Sequence, residues 1–337
     1  MNLALLGFGG VGKSFIKLLV DKNYALKKQR LNINVVAILN SKGGVYSSEG
    51  IDLQEVCSLN DLSEHSLWNK DLDYREVLNS NCVDLMVELT PTNKETGEPG
   101  LSHIRYALDN RINVVTGNKG PILLAYSDLK ERALKSGVSM GLGCTTGGAL
   151  PSLNSGLIEL AGSKILSIEG ILNGTSNFIL DEMERKSISF NEALELAKVL
   201  GIAESDPSLD IEGWDTAIKM TIMANVIMNK DISLKDISVE GITHLKKEDI
   251  EKAKKNGFKY KLIGLISNID NNVFIEVKPR LVEKNNVLAS INGKNKGLRF
   301  KTDTLGELVV MGGASGTINA AASILRDIIN IHKGYKY

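Results

Sequence analysis

Little in this 337-residue chain points to a metal site or a cross-linked scaffold. Its three cysteines (Cys57, Cys82, Cys144) show no CxxC spacing and its four histidines no HxxxH, which excludes a disulfide framework and the usual zinc signature. Neither charge sign is in excess, with 40 Lys plus Arg against 40 Asp plus Glu, so composition gives no basic surface for a nucleic acid. No run approaches the roughly 18 apolar residues of a membrane span. The N-terminus passes from Met1 into Leu3-Ala4-Leu5-Leu6-Gly7 without the basic and apolar regions of a secretory signal. What remains is ordinary globular composition, 43% hydrophobic and 24% charged, in a chain longer than one core sustains. The expectation is a cytoplasmic protein of two domains that takes neither a nucleic acid nor a membrane as partner.

The hydrophobic pattern supplies an order of elements. Asn2–Leu6 reads as a strand, and Val11, Phe15, Leu18 and Leu19 recur at helical spacing. Tyr24–Arg30, with Lys27, Lys28 and Arg30, reads as a solvated connection. Ile33–Leu39, Val83–Leu89 and Val114-Val115 read as further strands, the last followed by a helix over Tyr126–Lys135. Strands alternating with helices predict an α/β fold with a doubly wound parallel sheet. Beyond Gly141 the elements segregate. Helices are expected at Pro151–Leu160, Asn177–Arg185, Phe190–Leu200 and Glu212–Met228, and strands at Ile165–Leu172, Leu262–Asn268 and Val273–Pro279. That blocking predicts a second, α+β domain. A last apolar helix, Ala320–Ile331, follows the cluster Gly312-Gly313-Ala314-Ser315-Gly316.

The opening loop fits two patterns. Gly7-Phe8-Gly9-Gly10-Val11-Gly12 matches GxGxxG after a strand, where glycines let the backbone turn and approach a pyrophosphate at a helix N-terminus. Gly7, Gly12, Lys13 and Ser14 also match the Walker A pattern of nucleoside triphosphatases. That second reading wants a strand-end Asp for magnesium, whereas Val83–Glu88 ends in Glu; the dinucleotide reading uses the Gly7-x-Gly9 pair, which Walker A does not require, and a purely structural turn is the third reading. The second strand ends Leu39-Asn40-Ser41-Lys42, with no carboxylate for a ribose diol. Ser41 and Lys42 suit a 2′-phosphate, which predicts NADP(H) in preference to NAD(H).

Five further segments, in order along the chain, resemble the homoserine dehydrogenase family. They are Val87–Asn93 (VELTPTN), Thr96–Pro99 (TGEP), Val114–Pro121 (VVTGNKGP), Gly170–Asn177 (GILNGTSN) and Ala203–Lys219 (AESDPSLDIEGWDTAIK). The resemblance runs from residue 1 to about 330, and it implies interconversion of L-homoserine and L-aspartate 4-semialdehyde with NAD(P). It implies a Rossmann-type cofactor domain, residues 1–142 and 307–337, and a substrate and dimerisation domain, residues 143–306, in a homodimer. Carried over by position, Lys219 and Lys119 are its catalytic lysines, and Glu204, Asp210, Asp215, Thr175 and Gly174 its substrate-binding residues. Gly7, Gly9, Gly10, Val11, Gly12, Ser41, Lys42, Thr90, Pro91 and Lys119 are its cofactor contacts. The roles make chemical sense: a lysine ammonium can polarise a carbonyl and supply the proton an alkoxide needs, and carboxylates can hold the substrate's own ammonium. Asp215 and Lys219 stand four apart on one helix face. Such a pair is a solvated ion pair worth about 0.3–0.5 kcal/mol if exposed, or a functional site if buried.

Two features depart from the family. Gly143–Pro151 (GCTTGGALP) lacks the Glu of the loop associated with a monovalent cation, so no metal is assigned. Cys144 in Cys-Thr-Thr also resembles the nucleophile of phosphorylating aldehyde dehydrogenases, a rival mechanism that would need a histidine base. A dinucleotide-binding protein of this fold without chemistry is the non-enzyme alternative. The chain ends soon after its terminal helix, so inhibition by threonine through an appended regulatory domain is not expected.

Overall fold

The computed structural model describes residues 1–313 and 315–335; Ala314 of the glycine cluster lies outside the described residues. The chain forms two compact units, one of residues 1–149 with those from Gly316 onward, the other of residues 150–315.

The first unit is built on seven strands, β1 Asn2–Leu6, β2 Asn34–Asn40, β3 Gly43–Tyr46, β4 Trp68–Asn69, β5 Leu85–Glu88, β6 Asn113–Thr116 and β7 Met140–Gly141, in the order β4-β3-β2-β1-β5-β6-β7. The five strands from β2 to β7 in that order run parallel, with Leu5 of β1 beside Ile38 of β2 and Val87 of β5. Parallel strands are covered on both faces, which is why Val35–Leu39 is an unbroken apolar run, buried throughout. From β1 the chain winds to β2 on one side and to β5 on the other. That reversal opens a crevice at the strands' carboxyl ends, the place where α/β sheets take ligands. The sheet is Rossmann-type.

Helix Gly10–Lys28 continues through the segment expected to be a connection. Leu26 is buried, and Lys27 and Lys28 sit in the last turn, where cations favour the helix dipole. The terminal helix, Thr317–His332, places Ala321, Ile324, Leu325 and Ile328 in the same core as Phe15, Ile16 and Leu19. This i, i+3, i+4, i+7 stripe explains why the two ends of the chain share one unit. Strands β3 and β4 escaped the sequence pattern because they are short and antiparallel, Gly43–Tyr46 folding back on β2 through a turn in which the Asn40 side chain accepts from Lys42 N.

The second unit holds β8 Ile165–Ile171, β9 Ser238–Val239, β10 Phe258–Ile269, β11 Asn272–Glu283, β12 Lys296–Thr302 and β13 Glu307–Gly312, in the order β13-β12-β8-β10-β11-β9. All neighbours are antiparallel except β11 and β9. The hairpin of the two twelve-residue strands β10 and β11 turns on Asp270 and Asn271, both at positive φ (50° and 68°), as a tight two-residue turn requires. Helices Gly174–Lys186, Trp214–Ile227 and Lys247–Lys255 pack against β10.

The units divide after Ala149 and Ser315, not at the expected 142 and 306. Residues 307–312 are the edge strand β13, paired to β12 through Met311 and Gly297. Residues 143–149 stay with the first unit, where the amide of Gly143 donates to Asp327 of the terminal helix at 2.7 Å. The helix expected over Pro151–Leu160 is a single turn, Ser152–Asn154, running into a π-helical turn. Among the described residues no helix is long and apolar enough to cross a membrane.

Candidate active site

At the carboxyl ends of β1, β2 and β5 lies a cavity of about 670 Å³ lined by Gly7, Gly9, Gly10, Val11, Gly12, Ser41, Lys42, Thr90 and Pro91. Its glycines divide the work. Gly7 takes φ +102°, and a Cβ there would stand 2.4 Å from the Leu89 carbonyl carbon; one on Gly12 would stand 2.3 Å from Gly7 O. Those two are demanded by the turn and by helix-to-strand packing. A Cβ on Gly9 would meet no protein atom within 4 Å, so nothing in the fold itself excludes a side chain there. Bareness at Gly9 fits a backbone that a pyrophosphate must approach closely. Gly9 is also the N-cap of helix Gly10–Lys28 and offers no side-chain cap, leaving amide donors for an anion. The cradle fits a dinucleotide.

The Walker A side chains Lys13 and Ser14 are not among the residues lining this cavity. Ser14 Oγ donates to Thr317 Oγ1 at 2.8 Å and Lys13 Nζ to Asn60 O at 3.2 Å, so both side chains are engaged by the protein. The cavity also takes in Asn40, Asp61, Tyr74 and His103, none of which the sequence reading proposed. The Asp61 carboxyl is held below the usual carboxylate range, first by the Ser63 hydroxyl and amide, with Lys42 and Lys13 adding to it.

Behind Thr90 is a carboxylate with no exposed surface. Glu88 ends β5 fully buried; it accepts from Thr90 N at 3.0 Å, from the Thr90 hydroxyl, and from Thr116 Oγ1 at 3.2 Å. Thr116 in turn accepts from Asn118 N at 2.9 Å, and Asn118 caps the next helix by accepting from Gly120 N. That helix runs Lys119–Ser136, beginning well before the expected Tyr126. Lys119 is thus the first residue of a helix at the end of β6 rather than a turn residue, and it is not among the residues lining the cavity.

The second unit gathers its own constellation where β8 ends. Lys219 Nζ donates to Leu172 O at 2.8 Å and to Asp215 Oδ2. Both side chains are only 13% exposed, which rules out the solvated-pair account. Asn173 Nδ2 donates to Asp215 Oδ2 at 3.0 Å and to Asp210 Oδ1 at 2.5 Å. Its Oδ1 accepts from Ser176 N and so caps helix Gly174–Lys186. Asn173 is the organising residue that sequence reasoning passed over; the signal was an Asn between a strand and a helix, in cap position. One ammonium against two carboxylates gives the named side chains a net charge of −1. An ammonium carries three donors, so Lys219 keeps one N–H beyond its two bonds.

The other expected substrate residues differ in kind. Thr175 donates its hydroxyl to Ile202 O at 3.1 Å and ties down the following loop. A Cβ on Gly174 would lie 2.9 Å from Lys294 O, so that glycine permits a close backbone approach. Glu204 is exposed on the segment between helices Phe190–Val199 and Ser208–Ile211. As for the rival nucleophile, Cys144 Sγ lies 3.7 Å from Ala320 O. Three of the four imidazoles face other groups: His65 Nδ1 accepts from Leu67 N, His103 faces Glu88 and His244 faces Glu240.

The family model for homoserine dehydrogenase matches residues 151–329. The chain belongs to the homoserine dehydrogenase family. It is 40% identical over 340 positions to the homoserine dehydrogenase of Methanocaldococcus jannaschii, covering all of both chains. It is 35% identical to an NAD(+)-dependent homoserine dehydrogenase of Pseudomonas canavaninivorans, over 98% of this chain and 96% of that one. A solved hyperthermophilic archaeal homoserine dehydrogenase in complex with NADPH superposes with a TM-score of 0.83 at 25% identity, covering 99% of this chain and 98% of that one. This protein is accordingly a homoserine dehydrogenase, an oxidoreductase that works with a nicotinamide dinucleotide.

Proposed function

We propose that the enzyme interconverts L-aspartate 4-semialdehyde and L-homoserine with NADP(H) in preference to NAD(H), and that Lys219 moves the proton. The observation that carries this reading is the Lys219 ammonium, its side chain only 13% exposed, oriented by Leu172 O and Asp215 with one N–H to spare. When bound, the reduced nicotinamide supplies hydride to the aldehyde carbon. Lys219 donates a hydrogen bond to the carbonyl oxygen and gives a proton to the alkoxide that forms; in the alcohol-oxidising direction it takes that proton back. Asp215 holds the lysine in place. The negative balance of Asp210 and Asp215 attracts the substrate's α-ammonium, with Glu204 on the neighbouring segment assisting. Lys119, opening a helix at the end of β6, is the second lysine of the reaction.

On the cofactor side, Gly7, Gly9, Gly10, Val11 and Gly12 cradle the pyrophosphate, and Thr90-Pro91 flank the nicotinamide. Ser41 and Lys42 receive the 2′-phosphate. The cofactor preference rests on these two residues and on β2 ending without a carboxylate; among relatives, one is NAD(+)-dependent by name and one is solved with NADPH. The first unit is the cofactor domain and the second the substrate and dimerisation domain. Homodimerisation is supported by Ile269 and Phe274, each 60% exposed on the β10–β11 hairpin. The setting we assign is cytoplasmic threonine and methionine biosynthesis. The test is loss of NADPH or NADH absorbance on adding L-aspartate 4-semialdehyde. A higher kcat/KM with NADPH is expected, and an equal or better value with NADH refutes the preference. Lys219→Ala should lower kcat by about 10²–10⁴-fold and leave NADPH binding intact; near-normal turnover removes Lys219 from its role.

A further inference from the structure

The buried carboxylate of Glu88 is more than a prop for Thr90, because a histidine stands on its other side. His103, on helix Gly100–Asp109, lines the dinucleotide cavity. Its Nδ1 is buried without a hydrogen-bond partner, 3.7 Å from Glu88 Oε1. The ring is fixed from the side by Tyr74, edge to face at 4.4 Å between centroids. Nε2 is not enclosed in this way. A carboxylate facing one ring nitrogen places the proton there and leaves the other nitrogen as an acceptor with a set direction. Phosphate oxygens cannot donate to such an acceptor; hydroxyl groups can. A dinucleotide carries ribose hydroxyls on both sides of the pyrophosphate, and His103 lines the same cavity as the pyrophosphate cradle.

We propose that His103 is a cofactor-binding residue whose Nε2 accepts a hydrogen bond from a ribose hydroxyl of the dinucleotide, with Glu88 fixing the tautomer. Glu88 thus accepts from the Thr90 backbone on one side and faces the His103 ring at 3.7 Å on the other. The inference rests on the dinucleotide reading of this cavity.

The test is equilibrium binding of NADPH, and of 2′,5′-ADP as an adenosine-only probe, followed by fluorescence on wild type, His103→Phe and His103→Gln, with melting temperature recorded for each. Phenylalanine keeps the packing on Tyr74 and removes the acceptor, so NADPH should bind about tenfold more weakly, the worth of one hydrogen bond near 1.4 kcal/mol. Glutamine restores a polar terminus and should recover most of the affinity. A matching loss for 2′,5′-ADP places the contact on the adenosine ribose, and a loss confined to NADPH places it on the nicotinamide ribose. Unchanged affinity in folded His103→Phe overturns the proposal. So does an equal loss in both variants, which would show that restoring an acceptor at this position recovers nothing. Failure of the wild type to bind NADPH refutes the underlying cofactor reading instead.

Discussion

Lys261 is a lysine with 1% of its surface exposed, in the middle of β10. Its Nζ donates to Asn177 Oδ1 at 2.9 Å and to Ile291 O at 2.5 Å. Burial pushes its pKa down to about 8 from 10.5, against the pull of Asp181 and Glu184 and with Lys259 adding to the fall. The sign follows from counting protons. Between pH 8 and 10.5 the unfolded chain holds a proton on this lysine that the folded chain has released, so stability rises with pH across that window. Below pH 8 both states are charged and the full cost stands, about 3 kcal/mol from 2.5 pKa units at 1.36 kcal/mol each. Lys261→Met removes the cation and its cost, but it leaves Asn177 Oδ1 without this donor, a loss of about 1–3 kcal/mol, while Ile291 O keeps its bond from Asn177 Nδ2. At pH 7 the two effects oppose one another and the net change should be small. The diagnostic is slope. Urea unfolding followed by Trp214 fluorescence in a Trp68→Phe background should show stability gaining about 2 kcal/mol from pH 8 to 9.5 with Lys261 present, and no such gain in Lys261→Met. Identical slopes in the two proteins would refute the argument.

Four more substitutions separate fold from chemistry. Gly9→Ala should leave the melting temperature nearly unchanged and weaken NADPH binding more than tenfold, whereas Gly12→Ala, with a Cβ 2.3 Å from Gly7 O, should destabilise the first unit. Calorimetry and a binding titration distinguish them; a Gly9→Ala protein binding normally would show that no pyrophosphate comes close there. Lys42→Ala should cut the kcat/KM ratio of NADPH to NADH by roughly tenfold, the worth of one charge-assisted contact, and an unchanged ratio places the discrimination elsewhere. Cys144→Ala should keep its dehydrogenase activity in the absorbance assay, since hydride transfer assisted by lysine needs no thiol; loss of all activity in a folded variant would favour the thiohemiacetal route.

Periodicity and punctuation made the first unit legible: Gly7-x-Gly9 after an apolar run, then Phe15 and Leu19 at helical spacing, mark one βαβ start unambiguously. The same logic failed where residues answer to tertiary partners. Lys27 and Lys28 look like loop residues until the burial of Leu26 shows that the helix carries on past them. Strands β12 and β13 contain Lys296, Arg299, Lys301 and Glu307, and the charge of Arg299 is answered across the sheet by Glu169, a pairing no local window contains. At the site, Asp215 and Lys219 announce themselves by spacing, but Asn173 and Glu88 do not. Their importance lies in the partners that converge from segments about 30–40 residues away, a hydroxyl donor on Glu88 and two carboxylate acceptors on Asn173, and chain order alone does not disclose that.

The terminal helix has a consequence for how the protein is made. Residues around Phe15 leave the ribosome early, but the stripe Ala321-Ile324-Ile328 that completes their core arrives last. The nascent first unit therefore waits, with apolar surface uncovered, while some 166 intervening residues (150–315) are synthesised, at about 5–20 residues per second a delay on the order of 10–30 s. A stop codon falling just after Ser315 would release a chain with a complete second unit and an unfinished nucleotide lobe, and chaperone demand during translation should track that interval.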